Sequence, residues 1–200
     1  MNNTYLALGD SYTIGEQVLL AESFPYQTAQ LLRQQGYNIV APEIIATTGH
    51  TTDELMKSIQ QTTTLQHYNI VSVLIGVNNQ YRGRAVENFE LEFENLLLKA
   101  IDFANKISTN VFVLSIPDWG VTPFAFDKDT ATIAVEIDSY NKVCKSMATK
   151  YHTHFIDITS TQRKDGKDST YLAADALHPS GKEYAKWATL LAHKIIEVYK

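Results

Sequence analysis

The fold is decided most clearly by residues 70–76, which read Ile70-Val71-Ser72-Val73-Leu74-Ile75-Gly76. Such a nearly continuous apolar run is typical of a strand that is buried on both faces of a parallel sheet. Residues 39–46 and 111–116 have the same character, and residues 5–8 and 154–158 supply two further short runs. The sequence therefore predicts five strands, of which the central ones are fully buried.

Between these runs, apolar residues recur at the spacing of an amphipathic helix. Five helices are predicted. The first follows Ser23, and the second follows Thr51, which forms a capping-box pattern with Glu54. The third and fourth lie over Phe89–Ile107 and Ile133–Met147, and the last follows Ser180, with Glu183 three residues further on. Strands that alternate with helices indicate an α/β fold, in which a parallel sheet is covered on both faces. We find no linker or repeat, so residues 1–200 are interpreted as a single domain.

The composition excludes several classes of function. The net charge is −5 and the 17 Lys and Arg residues do not cluster, so we expect no nucleic-acid partner. No apolar run approaches the length of a membrane span, and we expect no stable membrane insertion.

Cys144 is the only cysteine, which rules out an internal disulfide. The first residues lack the pattern of a secretory signal, so a cytoplasmic location is expected. The oligomeric state has no signature in the sequence.

Residues with groups that can take part in catalysis follow four of the predicted strands. Ser11 comes after the first, Gly49 after the second and Asn78 after the third, while Asp175 and His178 precede the last helix. In a parallel sheet the carboxyl ends of the strands meet at one edge, where active sites are found. The sequence therefore predicts that a hydroxyl, two amide donors and a carboxylate/imidazole pair lie together at this edge of the sheet, which we call the rim.

This set is what acyl transfer requires. A serine hydroxyl is a poor nucleophile until an imidazole takes its proton as it attacks, and the imidazole needs a partner that fixes its tautomer and stabilises the cation that forms. The developing oxyanion needs fixed donors, and the loss of one typically costs about 10²- to 10³-fold in rate. No metal or organic cofactor is needed for this chemistry.

The four segments resemble the signature blocks of the SGNH hydrolases, also called the GDSL esterase/lipase family. Gly9-Asp10-Ser11 resembles the first block, Gly49 the second, Gly76-x-Asn78 the third and Asp175-x-x-His178 the last. The resemblance implies that Ser11, Asp175 and His178 are catalytic, and that Ser11, Gly49 and Asn78 form the oxyanion hole. It also implies a flavodoxin-like three-layer α/β/α sandwich around a five-stranded parallel sheet. Tyr12 and Asn79 depart from the family pattern, at positions that supply no catalytic atom.

The segment 117–126 follows the fourth strand and is rich in aromatic residues. We hypothesise that Trp119, Phe124 and Phe126 line the pocket for the acyl or leaving group. The alternative interpretation is that they cover the edge of the core.

Several further residues are open to more than one interpretation. Arg82 and Arg84 either meet an anionic substrate group or lie in a solvated loop, and His50 either lines the site or is a loop histidine. His152 and His154 form a possible metal pair without a third ligand, so no metal site is predicted. The polar loop 160–174 crosses the rim without an assigned role.

The sequence thus predicts a serine esterase that hydrolyses a small-molecule ester through an acyl-enzyme intermediate. Short-chain acyl esters, acetylated carbohydrates and lysophospholipids are all compatible with these residues. Two alternatives remain: an acyltransferase that uses the same residues, and a catalytically inactive relative that only binds its ligand.

Overall fold

The computed structural model describes residues 3–200, and a five-stranded parallel sheet forms its centre. The strands are β1 (Tyr5–Gly9), β2 (Glu43–Ala46), β3 (Ile70–Leu74), β4 (Val111–Leu114) and β5 (His154–Ile156). They pair in the order β2-β1-β3-β4-β5, and every residue of β1, β3 and β4 is buried. This confirms the predicted α/β class and the five-stranded parallel sheet.

Eight α-helices connect and cover the strands. Within residues 3–200 these helices are α1 (Ser11–Ile14), α2 (Phe24–Gln34), α3 (Thr52–Gln61), α4 (Val77–Tyr81), α5 (Val86–Phe103), α6 (Thr130–Lys150), α7 (Thr159–Asp165) and α8 (Gly181–Val198). Five short 3-10 turns lie in the same part of the chain: Leu20–Glu22, Ser108–Asn110, Trp119–Val121, Pro123–Ala125 and Ser169–Tyr171. The sequence did not predict the short helices α1, α4 and α7.

The strand order dictates the two helix layers. The chain moves from β1 to one side through α2, and then in the opposite direction through α3, α5 and α6. Because parallel crossovers are right-handed, the change of direction places α2 on one face and the other three on the opposite face. Contacts follow this division, since α2 packs on α8 while α5 packs on α3 and α6. Among the described residues, no helix has both the length and the apolar character needed to cross a bilayer.

Some predicted boundaries were wrong for local reasons. Ile39 forms only an isolated bridge with Asn3, so β2 begins at Glu43 rather than at residue 39. Helix α5 ends at Phe103 because Asn105 and Lys106 adopt positive φ angles of 54° and 63°. Consequently Ile107 is exposed instead of continuing the buried stripe.

Three capping predictions had different outcomes. The capping box of Thr51 and Glu54 is present at the start of α3. Ser23 and Ser180 occupy the N-cap positions of α2 and α8, but their hydroxyls donate to the carbonyls of Leu20 and Thr170 instead. These serines therefore fix the preceding turns of the chain and leave the helix N–H groups to other partners.

Candidate active site

Ser11 stands at the turn where β1 becomes α1. It is the first residue of that helix and is buried, and Asp10 before it accepts a hydrogen bond from the Tyr12 N–H at 3.1 Å. The first N–H groups of a helix have no intrahelical partner, so the backbone N–H of Ser11 is available to a ligand. From β1 the chain adds β2 on one side and β3 on the other, so the strand order reverses between β1 and β3. Open α/β sheets bind ligands at the carboxyl ends of the strands beside such a switch point.

His178 and Asp175 reach Ser11 from a tight loop before α8. The Asp175 carboxylate accepts hydrogen bonds from the backbone N–H groups of Leu177 and His178, at 3.0 and 2.9 Å. Ala176 between them has φ +58°, a left-handed conformation that non-glycine residues rarely adopt. The loop is held by the Ala173 N–H, which donates to the His178 carbonyl at 2.8 Å. Strain of this kind persists where the surrounding structure fixes a functional side chain.

The three side chains form a continuous hydrogen-bonded chain. The distance from Ser11 Oγ to His178 Nε2 is 3.0 Å, and the distance from His178 Nδ1 to Asp175 Oδ2 is 2.6 Å. Partial burial raises the pKa of Asp175, but its hydrogen bonds with the His178 side chain and with two backbone N–H groups prevail, so the pKa is lowered overall. An ionised Asp175 fixes the tautomer in which Nδ1 is protonated and Nε2 can accept the serine proton.

Gly49 and Asn78 come from the loops that follow β2 and β3. The Asn78 side-chain amide donates to the His50 carbonyl at 3.0 Å, which links the two loops beside Ser11. Gly49 has φ +82° and Gly76, which precedes α4, has φ +130°. A side chain on Gly76 would also lie 2.6 Å from Ile116, so both packing and backbone conformation favour glycine there. The structure thus brings together all five residues that the sequence predicted at the rim.

Arg82 and Arg84 each pair with an acidic side chain at the start of α3. Arg82 donates to the Gly49 carbonyl at 2.6 Å and pairs with Glu54 at 3.1 Å. Arg84 pairs with Asp53 at 2.6 Å. Arg82 therefore connects the Gly49 loop to Glu54 of the α3 capping box, and Arg84 contacts the neighbouring carboxylate of the same helix.

Asn79 has a supporting contact that the sequence did not reveal. It is fully buried, its Oδ1 accepts from the Thr52 N–H at 3.1 Å, and its Nδ2 donates to Thr52 Oγ1 at 2.7 Å. The same amide lies 3.4 Å from Glu92 Oε2. The start of α3 is thereby tied to the start of α4, and with it the loops that carry Gly49 and Asn78.

A cleft of about 230 Å³ opens beside Ser11 and His178. We call it the active-site cleft, and its lining is predominantly apolar: Ser11, Tyr12, Thr48, Gly49, Val77, Asn78, Tyr81, Trp119, Phe124, Leu177 and His178. The sequence analysis named Trp119 and Phe124 but missed Tyr81, which follows Asn78 by three residues and so lies on the same side of α4. Phe126 does not line the cleft; its side chain is 89% exposed and faces a separate surface groove. The prediction for Phe126 was wrong because the 3-10 turn Pro123–Ala125 directs it away.

The remaining candidates have structural contacts. His154 Nε2 lies 3.0 Å from the Thr109 carbonyl, and burial lowers the pKa of this ring. Within residues 3–200 no three His, Cys, Asp or Glu side chains are grouped to hold a metal ion. Cys144 is buried, which raises the pKa of its thiol.

The loop 160–174 supports the segment that carries Trp119. It contains most of α7, from which the side chain of Gln162 accepts the Asp118 N–H at 3.1 Å and Arg163 pairs with Asp118 at 2.8 Å. Its contribution to the site is therefore indirect, through the residue that precedes Trp119.

The chain is similar in fold to solved structures of three bacterial enzymes. A lipase/acylhydrolase from Enterococcus faecalis superposes with a TM-score of 0.76 at 19% identity, over 98% of this chain and 95% of the other. The psychrotrophic esterase EstA from Pseudoalteromonas sp. gives 0.73 at 15% identity, over 98% of each chain. The acetylxylan esterase Axe2 from Geobacillus stearothermophilus gives 0.71 at 18% identity, over 98% and 93%.

No curated protein sequence matches the chain significantly. The family profile of the GDSL-like lipase/acylhydrolases, however, matches residues 7–186. That range contains every residue of the hydrogen-bonded chain and both loops beside it. The chain therefore belongs to the GDSL-like lipase/acylhydrolase family of serine ester hydrolases.

Proposed function

We propose that the protein is a serine esterase in which Ser11 is the nucleophile, His178 the general base and Asp175 its orienting carboxylate. The observation that carries this proposal is the hydrogen-bonded chain from Ser11 Oγ through His178 to Asp175, which opens into the active-site cleft. The distance of 3.0 Å between Ser11 Oγ and His178 Nε2 lies within the range over which a base can take the proton of a nucleophile, and the 2.6 Å between His178 Nδ1 and Asp175 Oδ2 is a hydrogen-bond distance.

The reaction begins when Ser11 Oγ attacks the ester carbonyl and its proton passes to His178 Nε2. The tetrahedral oxyanion accepts hydrogen bonds from the backbone N–H groups of Ser11 and Gly49 and from the Asn78 side chain. The Asn78 amide carries two hydrogens, of which one is bound to the His50 carbonyl, so the other remains for the substrate.

Collapse of this intermediate breaks the bond to the alcohol, which leaves with the proton held by His178. An acyl-enzyme on Ser11 remains. Water then attacks the acyl carbonyl as His178 takes one of its protons, and the proton returns to Ser11 Oγ as the acid departs. All groups in both half-reactions belong to the chain, the substrate or water.

The lining of the cleft supports an ester whose acyl group is apolar. Tyr81, Trp119 and Phe124 present aromatic surface, and Val77 and Leu177 present aliphatic surface. Apolar surface that is removed from water on binding contributes roughly 25 cal/mol per Å² to the free energy of binding. Axe2 is named an acetylxylan esterase, so an acetyl ester of a carbohydrate is the smallest substrate to be compared with longer acyl chains.

The test is hydrolysis of p-nitrophenyl esters from acetate to palmitate by the wild type and by Ser11→Ala. Ser139→Ala is the matched control, because Ser139 is exposed on α6 and its hydroxyl donates to the Val135 carbonyl of the same helix. We expect the control to keep full turnover and Ser11→Ala to lose it. Equal turnover by wild type and Ser11→Ala would overturn the proposal, and so would a wild type without activity on any ester.

A further inference from the structure

The indole N–H of Trp119 is held by a hydrogen bond to a buried side chain. Its Nε1–H donates to Gln80 Oε1 at 2.8 Å, and Trp119 and Gln80 are only 5% and 6% exposed. Tyr81 and Phe124 meet the ring edge-on, with centroid distances of 5.3 and 6.1 Å. Because the one polar atom of the indole is already bonded, the ring offers only apolar surface to the active-site cleft.

The orientation of the Gln80 amide is fixed from its other end. Gln80 Nε2 donates to Glu136 Oε2, on α6, at 2.7 Å. A carboxylate can only accept and an indole N–H can only donate, so a single orientation of the amide satisfies both partners. The chain Trp119–Gln80–Glu136 therefore has one arrangement, and rotation of the amide would break both hydrogen bonds.

Gln80 also borders a depression that lies outside the active-site cleft. Together with Glu136, Arg84 and Tyr140 it lines a second cavity of about 220 Å³ that does not include the catalytic residues. Gln80 thus lies at the boundary of this depression and contacts the indole at the same time, and its hydrogen bond fixes the Nε1 end of Trp119.

The backbone of Trp119 is held independently of Gln80. The Asp118 carboxylate accepts from the Gly120 N–H at 2.9 Å and pairs with Arg163, and Thr122 Oγ1 donates to the Trp119 carbonyl at 2.7 Å. A change at Gln80 therefore releases the ring of Trp119 while the 3-10 turn that carries it stays in place.

From these contacts we infer that Gln80, oriented by Glu136, is a positioning residue that fixes Trp119 and thereby sets which acyl chains the cleft accepts. The inference rests on the proposed esterase function and adds to it a residue that sets the preference for acyl-chain length. Gln80 does not touch the reacting atoms, so its effect is on the fit of the acyl chain and not on proton transfer.

The kinetic test compares kcat/KM for acetate and octanoate esters in Gln80→Met. Methionine keeps the length of the side chain, but its thioether sulfur is only a weak acceptor for the indole N–H and cannot donate to Glu136. We expect the octanoate-to-acetate ratio of kcat/KM to change at least about threefold, with kcat on acetate within about twofold of wild type, since pocket fit discriminates chain lengths by this order. Glu136→Gln, which keeps an acceptor for Gln80, should stay close to wild type. Gln60→Met, at an exposed position of α3, is the matched control.

A spectroscopic measurement tests the contact itself without turnover. The chain contains two tryptophans, so its ¹⁵N-correlated NMR spectrum has two indole N–H signals, and Trp119→Phe identifies the one from Trp119. In Gln80→Met we expect that signal to shift and its hydrogen exchange to speed up. The Trp187 signal should not change, because its Nε1–H donates to Glu183 at 3.0 Å.

The outcomes separate this inference from the proposed function. An active wild type whose chain-length ratio and Trp119 signal are both unchanged by Gln80→Met would overturn the inference and leave the esterase intact. A moved signal with an unchanged ratio would also overturn it, because Gln80 would then hold the ring without setting specificity. A wild type that hydrolyses no ester would remove the proposed function, and the inference with it.

Discussion

Replacement of Asp10 by asparagine should make the stability of the fold less dependent on pH. Asp10 is 1% exposed; its Oδ1 accepts from the Tyr12 N–H, while Oδ2 is buried without a hydrogen-bond partner among residues 3–200. Burial is the main cause that raises its pKa from 3.8 to about 7, against the smaller opposing effect of the backbone hydrogen bonds. The folded chain therefore keeps a proton on Asp10 at pH values where the unfolded chain has lost it.

The magnitude follows from the difference between the two pKa values. A shift from 3.8 to about 7 is roughly three pH units, and each unit corresponds to about 1.4 kcal/mol. Since the folded state binds more protons in this interval, the contribution of Asp10 to stability is full below the unfolded pKa and is lost as the pH rises through about 7. The free energy of unfolding should thus lose about 4 kcal/mol from this group between about pH 4 and pH 8.

The assay is urea unfolding of wild type and Asp10→Asn at several values from about pH 4 to pH 8, followed by tryptophan fluorescence. The neutral amide does not titrate, so the variant should gain stability relative to wild type as the pH rises. Asp102→Asn, at an exposed carboxylate of α5, is the control and should follow the wild-type curve. A wild-type-to-Asp10→Asn difference that stays constant to within about 0.5 kcal/mol across the range would refute the reasoning.

Three further predictions concern the groups around Ser11. Arg82→Met should lower kcat by about 3- to 100-fold with little change in KM, because the Gly49 carbonyl loses its donor; an unchanged kcat in ester hydrolysis would contradict this. Asn79→Asp should lower the free energy of unfolding, measured in urea, by about 1–3 kcal/mol, because the new carboxylate would lie beside the Glu92 carboxylate, which is 3.4 Å from the Asn79 amide. Glu92→Gln in the same chain removes the second charge and should restore stability. Asp175→Asn should lower kcat by about 10²- to 10⁴-fold at unchanged melting temperature, and full activity would argue against its orienting role.

The sheet could be predicted because burial on both faces leaves a strong signature. The apolar runs of β1, β3 and β4 needed only the rule that buried parallel strands lack alternation. Each polar residue of the site follows a strand or precedes α8, so the rim was also accessible from sequence order alone. Features fixed by local hydrophobicity and chain order were therefore predicted well.

Features fixed by tertiary contacts were not predicted. Phe126 looked equivalent to Phe124 in sequence, and only the 3-10 turn Pro123–Ala125 separates the exposed ring from the one in the cleft. Arg82 looked like a loop arginine because its partners, Gly49 and Glu54, lie about thirty residues away in the chain. Short helices such as α4 contain too few residues for a periodic pattern to emerge.

Covalent labelling of the nucleophile tests the central claim most directly. A fluorophosphonate, which reacts with an activated serine and mimics the tetrahedral intermediate, is incubated with wild type, Ser11→Ala and Ser139→Ala, and the proteins are analysed by intact and peptide mass spectrometry. Our account predicts a single adduct on the peptide that contains Ser11 in wild type and Ser139→Ala, and no adduct in Ser11→Ala. An adduct on a different residue, or equal labelling of Ser11→Ala, would contradict it.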